Sequence, residues 1–179
     1  MRTIIKKFFF VWDFDKEEKW LNEMAAKGLA LVGVGFCRYE FEDCVPGEYK
    51  VCLQLLDKMP SHPESRKYIE FMEETGAEHA GSFTRWVYFR KKASEGDFRL
   101  YSDNASKVKH MNTMLGFVAT VVGLNLYIGL YNLFLVLFLD SAFNYIGLLN
   151  FAIALVGIPG VIKLWKKRNR LKKESQLFE

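Results

Sequence analysis

Hydrophobic and polar positions divide the chain into two unlike parts. No charged residue occurs from residue 111 to residue 139 or from residue 141 to residue 162, whereas the preceding part of the chain is rich in charge. A helix needs roughly 20 apolar residues to cross a hydrocarbon core of about 30 Å, and buried helices of soluble proteins rarely run so long without a charge. The pattern therefore predicts two transmembrane helices, at 111–139 and 145–165, joined by a turn at 140–144.

The first 92 residues alternate between strand-like and helix-like patterns. Strand propensity or period-two alternation marks four segments: 6–12, 37–42, 49–55 and 82–92. The helical period marks two segments, each opened by a capping-box spacing: 15–28 and 61–76. This order, βαββαβ, is typical of ferredoxin-like folds. The predicted fold class is therefore α+β, with a ferredoxin-like cytoplasmic domain at 1–92, a linker and capped helix start at 93–110, and the two-helix transmembrane hairpin.

Basic residues flank the apolar segments, although the composition of the whole chain is close to average. A net charge of +4 with 50% hydrophobic residues fits an ordinary folded protein. By the positive-inside rule, basic flanks stay in the cytoplasm and the turn between the two helices faces outward. The residues that predict this topology, with Trp165 as interfacial anchor, are Lys107, Lys109, Lys163, Trp165, Lys166, Lys167, Arg168 and Arg170. We therefore expect two spans, with both termini and the basic tail at 166–179 in the cytoplasm.

The basic tail allows three interpretations: a topology signal, a lipid-binding segment and a nucleic-acid arm. Attraction to anionic lipid follows at about 1 kcal/mol for each base near the surface. A segment held against an anionic membrane is poorly placed to compete for DNA. We therefore expect the lipid bilayer as a partner and no direct contact with nucleic acid.

Catalytic and metal-binding patterns are not found in the sequence. Cys37, Cys44 and Cys52 form an odd set without a C-x-x-C pair and are expected to be reduced in the cytoplasm. The histidines do not stand at metal-ligand spacing, no nucleophile elbow is present, and Gly33-x-Gly35 lacks the third glycine of a phosphate loop. The sequence therefore predicts a protein that is not an enzyme and holds no metal and no cofactor.

A polar cluster precedes the first apolar segment. Its members are Tyr101, Ser102, Asp103, Asn104 and Ser106. Serine, aspartate and asparagine are favoured at helix N-caps, so helix capping with linker packing is one interpretation. The other is a joint that couples the N-terminal domain to the membrane helices, and on that interpretation these are candidate coupling residues.

Within the apolar segments, amides and glycines are the candidate helix-packing residues. They are Asn125, Asn132, Asn150, Gly116 and Gly123. Polar and small residues in spanning helices usually face helix partners, and two spans without an intramembrane charge offer no ion relay. We therefore expect these residues to pack helices together, within the chain or in a homodimer, rather than to line a transport path.

Four stretches carry a resemblance to a known family: EEKWLNEMAAKGLALVGV, YEFEDCVPGEYKVCLQLLD, GAEHAGSFTRWVYFRKK and LYSDNASKVKH. Over about residues 3 to 110 the chain resembles DUF2812, a family of small bacterial membrane proteins without an established activity. The resemblance implies a cytoplasmic domain joined to C-terminal helices in the bacterial cytoplasmic membrane, and it implies no catalytic residues. Because genes of the family often lie beside those of PadR-like transcriptional regulators, it also implies a regulatory role.

These patterns lead to one functional hypothesis and two rivals. The first is a non-enzymatic, membrane-anchored cytoplasmic module that senses a membrane or small-molecule signal and binds a protein partner such as a PadR-like regulator. The main rival is an accessory subunit of a larger membrane complex such as a transporter, with the asparagine-bearing helices as its docking face. A hydrolase or transferase with an unrecognised site is the third.

Overall fold

A computed structural model describes residues 2–96, 98, 104–138 and 145–176, and of residues 104–106 and 174–176 it describes the backbone alone. The chain divides into two compact units, Met1–Ser102 and Asp103–Glu179. The described part of the first unit is built from strands and helices, and that of the second from two long helices.

Within its described residues, the first unit contains six strands and two α-helices. The strands are β1 (Arg2–Lys6), β2 (Leu29–Gly35), β3 (Arg38–Asp43), β4 (Tyr49–Leu55), β5 (Glu78–Phe83) and β6 (Trp86–Lys92). The helices are α1 (Phe14–Ala26) and α2 (Pro63–Glu74), with short 3-10 turns at Val11–Asp13 and Ala93–Glu95. The strands form two antiparallel sheets, with the orders β1-β3-β2 and β4-β6-β5.

The same β-α-β-β unit builds both sheets, one copy after the other. Corresponding positions in the two copies lie 48 residues apart. Glu42 of the first copy, for example, corresponds to Arg90 of the second. Gly28 and Gly76 correspond in this way, and each follows the end of its helix in the left-handed conformation, with φ of 85° and 86°. The first unit is therefore a tandem structural repeat.

Strand irregularities and ring packing repeat with the same offset. Corresponding bulges lie between Leu31 and Gly33 in β2 and between His79 and Gly81 in β5. Corresponding edge-on ring pairs are Trp20–Phe41, with centroids 5.9 Å apart, and Tyr68–Phe89, at 6.4 Å. Each copy thus packs an aromatic residue of its helix against the middle of its own central strand.

The two copies meet where β2 runs beside β5. A Cβ atom on Gly81 would lie 3.1 Å from the backbone nitrogen of Val34, so a side chain there would push the two strands apart. Arg90 on β6 reaches across this contact and donates to the carbonyl of Leu31 at 3.1 Å and to the carboxylate of Glu42 at 2.7 Å. These bonds tie the second sheet to the first.

Helix α1 packs against both sheets. The side chain of Asn22 bonds to both backbone groups of Val51, accepting from its N–H at 3.0 Å and donating to its carbonyl at 2.7 Å. The carboxylate of Glu18 accepts from the N–H of Leu53 at 3.2 Å. Strand β4 lies at the edge of its sheet, so the backbone groups along its outer side have no neighbouring strand to bond. The side chains of α1 take the place of that strand as hydrogen-bond partners.

Strand β6 is buried on both faces because residues of α2 pack on one face and α1 lies on the other. Its first four residues alternate between the faces, and all are buried: Trp86, Val87, Tyr88 and Phe89. Val87 and Phe89 belong to a core cluster with α2, whose members are Cys52, Leu56, Ile69, Met72, Ala77, Val87, Phe89 and Phe98. Tyr88 lies on the opposite face and reaches α1 through Glu17.

The α+β class and the two C-terminal apolar helices are confirmed. The observed strand order differs from the βαββαβ order of a ferredoxin-like fold, because residues 29–35 and 78–83 form strands of their own and the first strand lies at Arg2–Lys6. Two-residue turns close the hairpins β2–β3 and β5–β6 without the Asn-Gly or Asp-Gly signature. Cys37 and Thr84 take positive φ values of 51° and 52° in these turns instead.

The helix starts also differ from the predicted capping boxes. Helix α1 begins at Phe14, so the predicted cap Asp15 lies inside the helix. The N-cap of α2 is His62 rather than Ser61, and its Nδ1 accepts from the N–H of Glu64 at 3.2 Å. A ring nitrogen therefore takes the place of the expected hydroxyl oxygen.

The helices of the second unit are α3 (Asn104–Phe138) and α4 (Tyr145–Gln176). They are longer than the predicted spans of 111–139 and 145–165, and the predicted turn at 140–144 lies outside the described residues. They pack antiparallel, since residues late in α3 contact residues early in α4. The contacts at glycine are Asn132 with Gly147, Gly129 with Phe151 and Val122 with Gly157. Glycine lets the two helix backbones approach closely.

Candidate functional site

Glu17 is a buried carboxylate at the contact of α1 with both sheets. Only 8% of the residue is exposed. Its Oε1 accepts one hydrogen bond from the hydroxyl of Tyr39 on β3 and one from the hydroxyl of Tyr88 on β6, each at 2.7 Å. The three side chains, called the Glu17 cluster below, therefore join the helix to the central strands of both repeats.

Burial dominates the electrostatics of the cluster. Desolvation raises the pKa of Glu17, and the hydrogen bonds from Tyr88 and Tyr39 oppose part of that rise. Burial and the neighbouring Glu17 raise the pKa of both tyrosines, so both hydroxyls stay protonated and donate. None of the ion pairs formed by the described residues includes Glu17. The carboxylate is therefore stabilised by two neutral donors and by no cation within the part of the chain that the structure describes.

The second repeat shows that the fold does not require this cluster. The position that corresponds to Glu17 is Ser65, which is also buried and bonds to the carbonyl of Lys58 at 3.3 Å. The position that corresponds to Tyr39 is Val87, which is fully buried. A serine and an aliphatic residue thus complete the same β-α-β-β unit, so the pairing of Glu17 with Tyr39 has no counterpart in the second copy.

Aromatic rings surround the Glu17 cluster. The described pairs are Trp20–Tyr39 with centroids 5.0 Å apart, Phe14–Trp86 at 6.0 Å and Phe9–Tyr39 at 6.4 Å. These rings exclude most water from the cluster, which lowers the local dielectric constant. A change in the charge of Glu17 therefore changes the strength of its two hydrogen bonds more than it would in water. The arrangement can take up or release a proton, and either event alters the bonds between α1 and the two sheets.

The sequence contains a signal for this cluster in the spacing of the buried positions of α1. Glu17 and Glu18 are neighbours in an acidic segment, which suggests a solvated helix face. The buried positions of α1, however, follow the helical period and include the glutamate: Phe14, Glu17, Leu21 and Ala25. A charged residue in register with the apolar face of a helix predicts a buried, hydrogen-bonded group.

The candidate coupling residues fall at the edge of the described structure. Tyr101, Ser102 and Asp103 lie outside the described residues. Asn104 and Ser106 lie in the first turn of α3, and their side chains are outside the described part. A coupling role for this segment stays a prediction.

The candidate helix-packing residues occupy different faces of the hairpin. Asn132 contacts Gly147 across the helix pair, whereas Gly116 and Gly123 have open space where a Cβ atom would lie. The amide groups of the three asparagines each donate to the carbonyl four residues earlier in their own helix, at 2.8 Å: Asn125, Asn132 and Asn150. The glycines that do lie between α3 and α4 are Gly129, Gly147 and Gly157, and they were not among the predicted packing residues.

The topology residues all lie on α3 or α4. They are Lys107, Lys109, Lys163, Trp165, Lys166, Lys167, Arg168 and Arg170. Since the helices are antiparallel, the beginning of α3 and the end of α4 lie at the same end of the pair. The basic residues are therefore gathered at one end of the second unit.

Both helices are long and apolar enough to cross a membrane. The qualifying segments are Lys107–Phe138 and Tyr145–Lys173, each with a mean hydropathy of 2.0 in its most apolar window. Only 11% and 22% of those windows are buried. Helices at the core of a soluble protein would be mostly buried, so the apolar side chains here face outward.

Potential metal ligands do not cluster in the described part of the chain. Among the residues that the structure describes, no group of three or more His, Cys, Asp and Glu side chains is placed to hold a metal ion. Cys37, Cys44 and Cys52 form no disulfide with one another.

Comparison with known proteins identifies one family. The family described as "Protein of unknown function (DUF2812)" matches residues 13–122, from the start of α1 into α3 and including the whole Glu17 cluster. No curated protein and no solved structure matches the chain. Because the match covers more than half of the sequence and agrees with the resemblance of its motifs, the chain belongs to the DUF2812 family.

Proposed function

We propose that this chain is a membrane-anchored, non-enzymatic module whose N-terminal domain senses a signal and binds a protein partner. The observation that carries the proposal is the exposure of the two apolar helices. Large apolar side chains face outward along both helices, among them Leu124, Leu137, Leu149 and Leu155. A soluble monomer rarely exposes a continuous apolar surface of this extent, whereas a bilayer removes it from water.

The anchoring is proposed to be in a bacterial cytoplasmic membrane, with two spans and both termini in the cytoplasm. The basic residues at one end of the helix pair support this orientation through the positive-inside rule. Trp165, which is half exposed near that end, is the kind of residue that anchors a helix at the interface.

The sensing role is supported by the Glu17 cluster. A buried carboxylate without a cation partner among the described residues responds to protonation or to an approaching cation. Its bonds connect α1 to both repeats, so the response reaches the whole N-terminal unit. The corresponding position in the second repeat carries no such group, which favours a functional role over a structural one.

The proposed partner is a transcriptional regulator of the PadR-like class. The resemblance to the family supports this choice, because genes of the family often lie beside those of such regulators. Exposed apolar side chains on the N-terminal unit offer contact area for a protein. Phe36 is 76% exposed, and its ring centroid lies 5.9 Å from that of Phe83. Exposed aromatic residues are enriched at protein interfaces.

A second candidate function is an accessory subunit of a larger membrane complex such as a transporter. The exposed glycines Gly116 and Gly123 on α3 favour it, because each leaves open space for close approach by another helix. A second copy of this chain would use the same face and give a homodimer.

Affinity purification of the full chain from gently solubilised membranes, followed by mass spectrometry, tests the proposal. We expect a DNA-binding regulator among the retained proteins, and we expect Phe36→Ser to reduce its recovery while Phe71→Ser, on another exposed surface, does not. Multispan membrane proteins that are lost with Gly116→Leu and Gly123→Leu would favour the accessory subunit. Recovery of neither class, together with unchanged transcription in a deletion strain, would contradict the regulatory proposal.

A further inference from the structure

The segment between β1 and α1 presents a ladder of aromatic rings on the surface of the first unit. Phe8 packs edge-on against Phe10 with centroids 4.8 Å apart, and Phe10 stacks on Trp12 at 4.7 Å with the ring planes 6° from parallel. Phe8 is 58% exposed and Phe10 is 39% exposed. These three residues are called the aromatic ladder below.

The alternation of an extended chain places Phe8 and Phe10 on the same side, and the 3-10 turn at Val11–Asp13 places Trp12 against Phe10. Phe9, between the two exposed phenylalanines, turns inward and packs against Trp20 at 5.6 Å and Tyr39 at 6.4 Å. The inward residue fixes the segment to the core, while its neighbours face solvent. The exposed rings are therefore held in place by the fold rather than by contact with one another alone.

The second repeat makes the same connection without exposed rings. Leu56 corresponds to Phe8 and is buried. Lys58 corresponds to Phe10; it is exposed and forms an ion pair with Glu64 at 2.7 Å. The link from strand to helix can thus be built with a core residue and a solvated charge. The aromatic ladder is an additional feature of the first copy, and such exposed apolar groups mark binding surfaces.

Positive charge accompanies the ladder. Lys6 and Lys7 immediately precede it and are exposed. Lys7 places its Nζ over the rings of Phe9 and Trp20, at 5.1 Å and 4.6 Å from their centroids. The acidic residue that follows, Asp13, pairs with Lys16 at 3.1 Å. Aromatic rings beside lysines match the boundary of a bilayer, where rings sit among headgroups and lysines meet anionic lipid.

We propose that the aromatic ladder docks on the anionic surface of the bilayer that anchors the chain. The inference rests on the proposed membrane anchoring, because a chain held by two spanning helices keeps the ladder at high effective concentration near the headgroups. The lysines complement the charge of anionic headgroups, and the three rings enter the interface. The bilayer is therefore both anchor and ligand.

This docking surface is connected to the Glu17 cluster by direct contacts. Phe9 lies between the exposed rings and packs on Tyr39, whose hydroxyl donates to Glu17 at 2.7 Å. Helix α1 also begins two residues after Trp12. A displacement of the ladder on binding lipid would therefore be transmitted to the buried carboxylate through Phe9 and Tyr39.

Tryptophan quenching in nanodiscs tests the proposal with the full chain. Phe8→Trp places a reporter in the ladder, and Phe71→Trp on α2, where the native residue is also 58% exposed, is the matched control. The discs contain phosphatidylcholine with phosphatidylglycerol, with or without bromine on the acyl chains. For each variant, the quenching caused by bromine in the unsubstituted chain is subtracted, which leaves the quenching of the introduced tryptophan. We expect this remainder to be at least roughly twofold larger for Phe8→Trp than for Phe71→Trp. Adding Lys6→Glu, or omitting phosphatidylglycerol, should reduce the difference.

Each failure has a distinct meaning. Equal added quenching at the two positions, in a chain that has entered the discs, would overturn docking and leave the anchoring intact. Quenching that is indifferent to Lys6→Glu and to phosphatidylglycerol would overturn the recognition of anionic headgroups. A chain that does not enter the discs at all would contradict the proposed anchoring itself.

Discussion

Glu17 places a carboxyl group in a core otherwise built from aromatic and aliphatic side chains. Burial raises its pKa above the ordinary value of 4.5, so the folded state holds the proton more tightly than the unfolded state. The free energy of unfolding therefore includes a contribution that is fully present below pH 4.5 and is lost as the pH rises through the folded-state pKa. As far as this carboxyl group is concerned, the free energy of unfolding is therefore lower at neutral pH than at acidic pH.

Substitution Glu17→Gln removes this pH dependence. Glutamine keeps an oxygen that accepts from Tyr39 and Tyr88 but carries no charge to desolvate. We expect a higher melting temperature than the wild type at pH 8, and the difference to shrink as the pH falls toward 4.5. Thermal unfolding of the full chain in detergent, followed by near-ultraviolet circular dichroism, measures this. Glu23→Gln, at an exposed position of the same helix, is the control. A difference in melting temperature between wild type and Glu17→Gln that is the same at every pH would contradict a raised pKa for Glu17.

Among the secondary-structure elements, the β5–β6 hairpin carries a residue that its turn does not favour. Thr84 has a φ of 52°, a conformation that is uncommon for a β-branched residue. Replacement by asparagine, which tolerates that conformation, should raise the free energy of unfolding by about 0.5–1 kcal/mol. The same replacement at Thr3, which lies in the strand β1, should not stabilise the protein. A lower melting temperature for Thr84→Asn than for wild type would show that the threonine side chain has a role the backbone argument misses.

The helix pair offers a matched test of close packing. A side chain at Gly157 would collide with Val122, whereas one at Gly123 meets nothing within 4 Å. We therefore expect Gly157→Leu to lower the melting temperature of the helix pair in detergent and Gly123→Leu to leave it unchanged. Helix circular dichroism follows the transition. An equal loss for both variants would mean that α3 has a second partner at Gly123, such as another copy of the chain.

Strong periodic signals were sufficient to predict some elements but not their pairing. The apolar segments, the two N-terminal helices and the helix-ending glycines Gly28 and Gly76 are all observed. The hairpin turns were missed because Cys37 and Thr84 adopt positive φ without a glycine or asparagine signature. A strand propensity assigned to 82–92 therefore ran through a turn.

The tandem repeat was missed because few residues are identical between its copies. The matches near the helix ends and bulges are Met24 with Met72, Gly28 with Gly76 and Gly33 with Gly81. The left-handed φ of Gly28 and Gly76 and the bulges that precede Gly33 and Gly81 are kept, while most side chains differ. The Glu17 cluster was hidden for a related reason: α1 packs against two sheets, so a position that looks solvated in one repeat is covered by the other.

On the scale of the whole molecule, the described chain combines a duplicated α+β unit with two exposed apolar helices. The first unit has its own core, its own edge-strand protection and an ion-pair network centred on Arg90. The second has an apolar exterior that water does not favour. We propose that a bilayer covers this exterior, with both chain termini on its cytoplasmic side.

Labelling with a membrane-impermeant maleimide in intact bacterial cells tests this claim most directly. The three native cysteines are replaced by serine, and single cysteines are introduced by Ser141→Cys or Ser175→Cys. We expect the chain to stay in the membrane pellet after alkaline washing, with Ser141→Cys labelled in intact cells and Ser175→Cys labelled only after the cells are permeabilised. A chain released by alkaline washing, or the opposite labelling pattern, would contradict it.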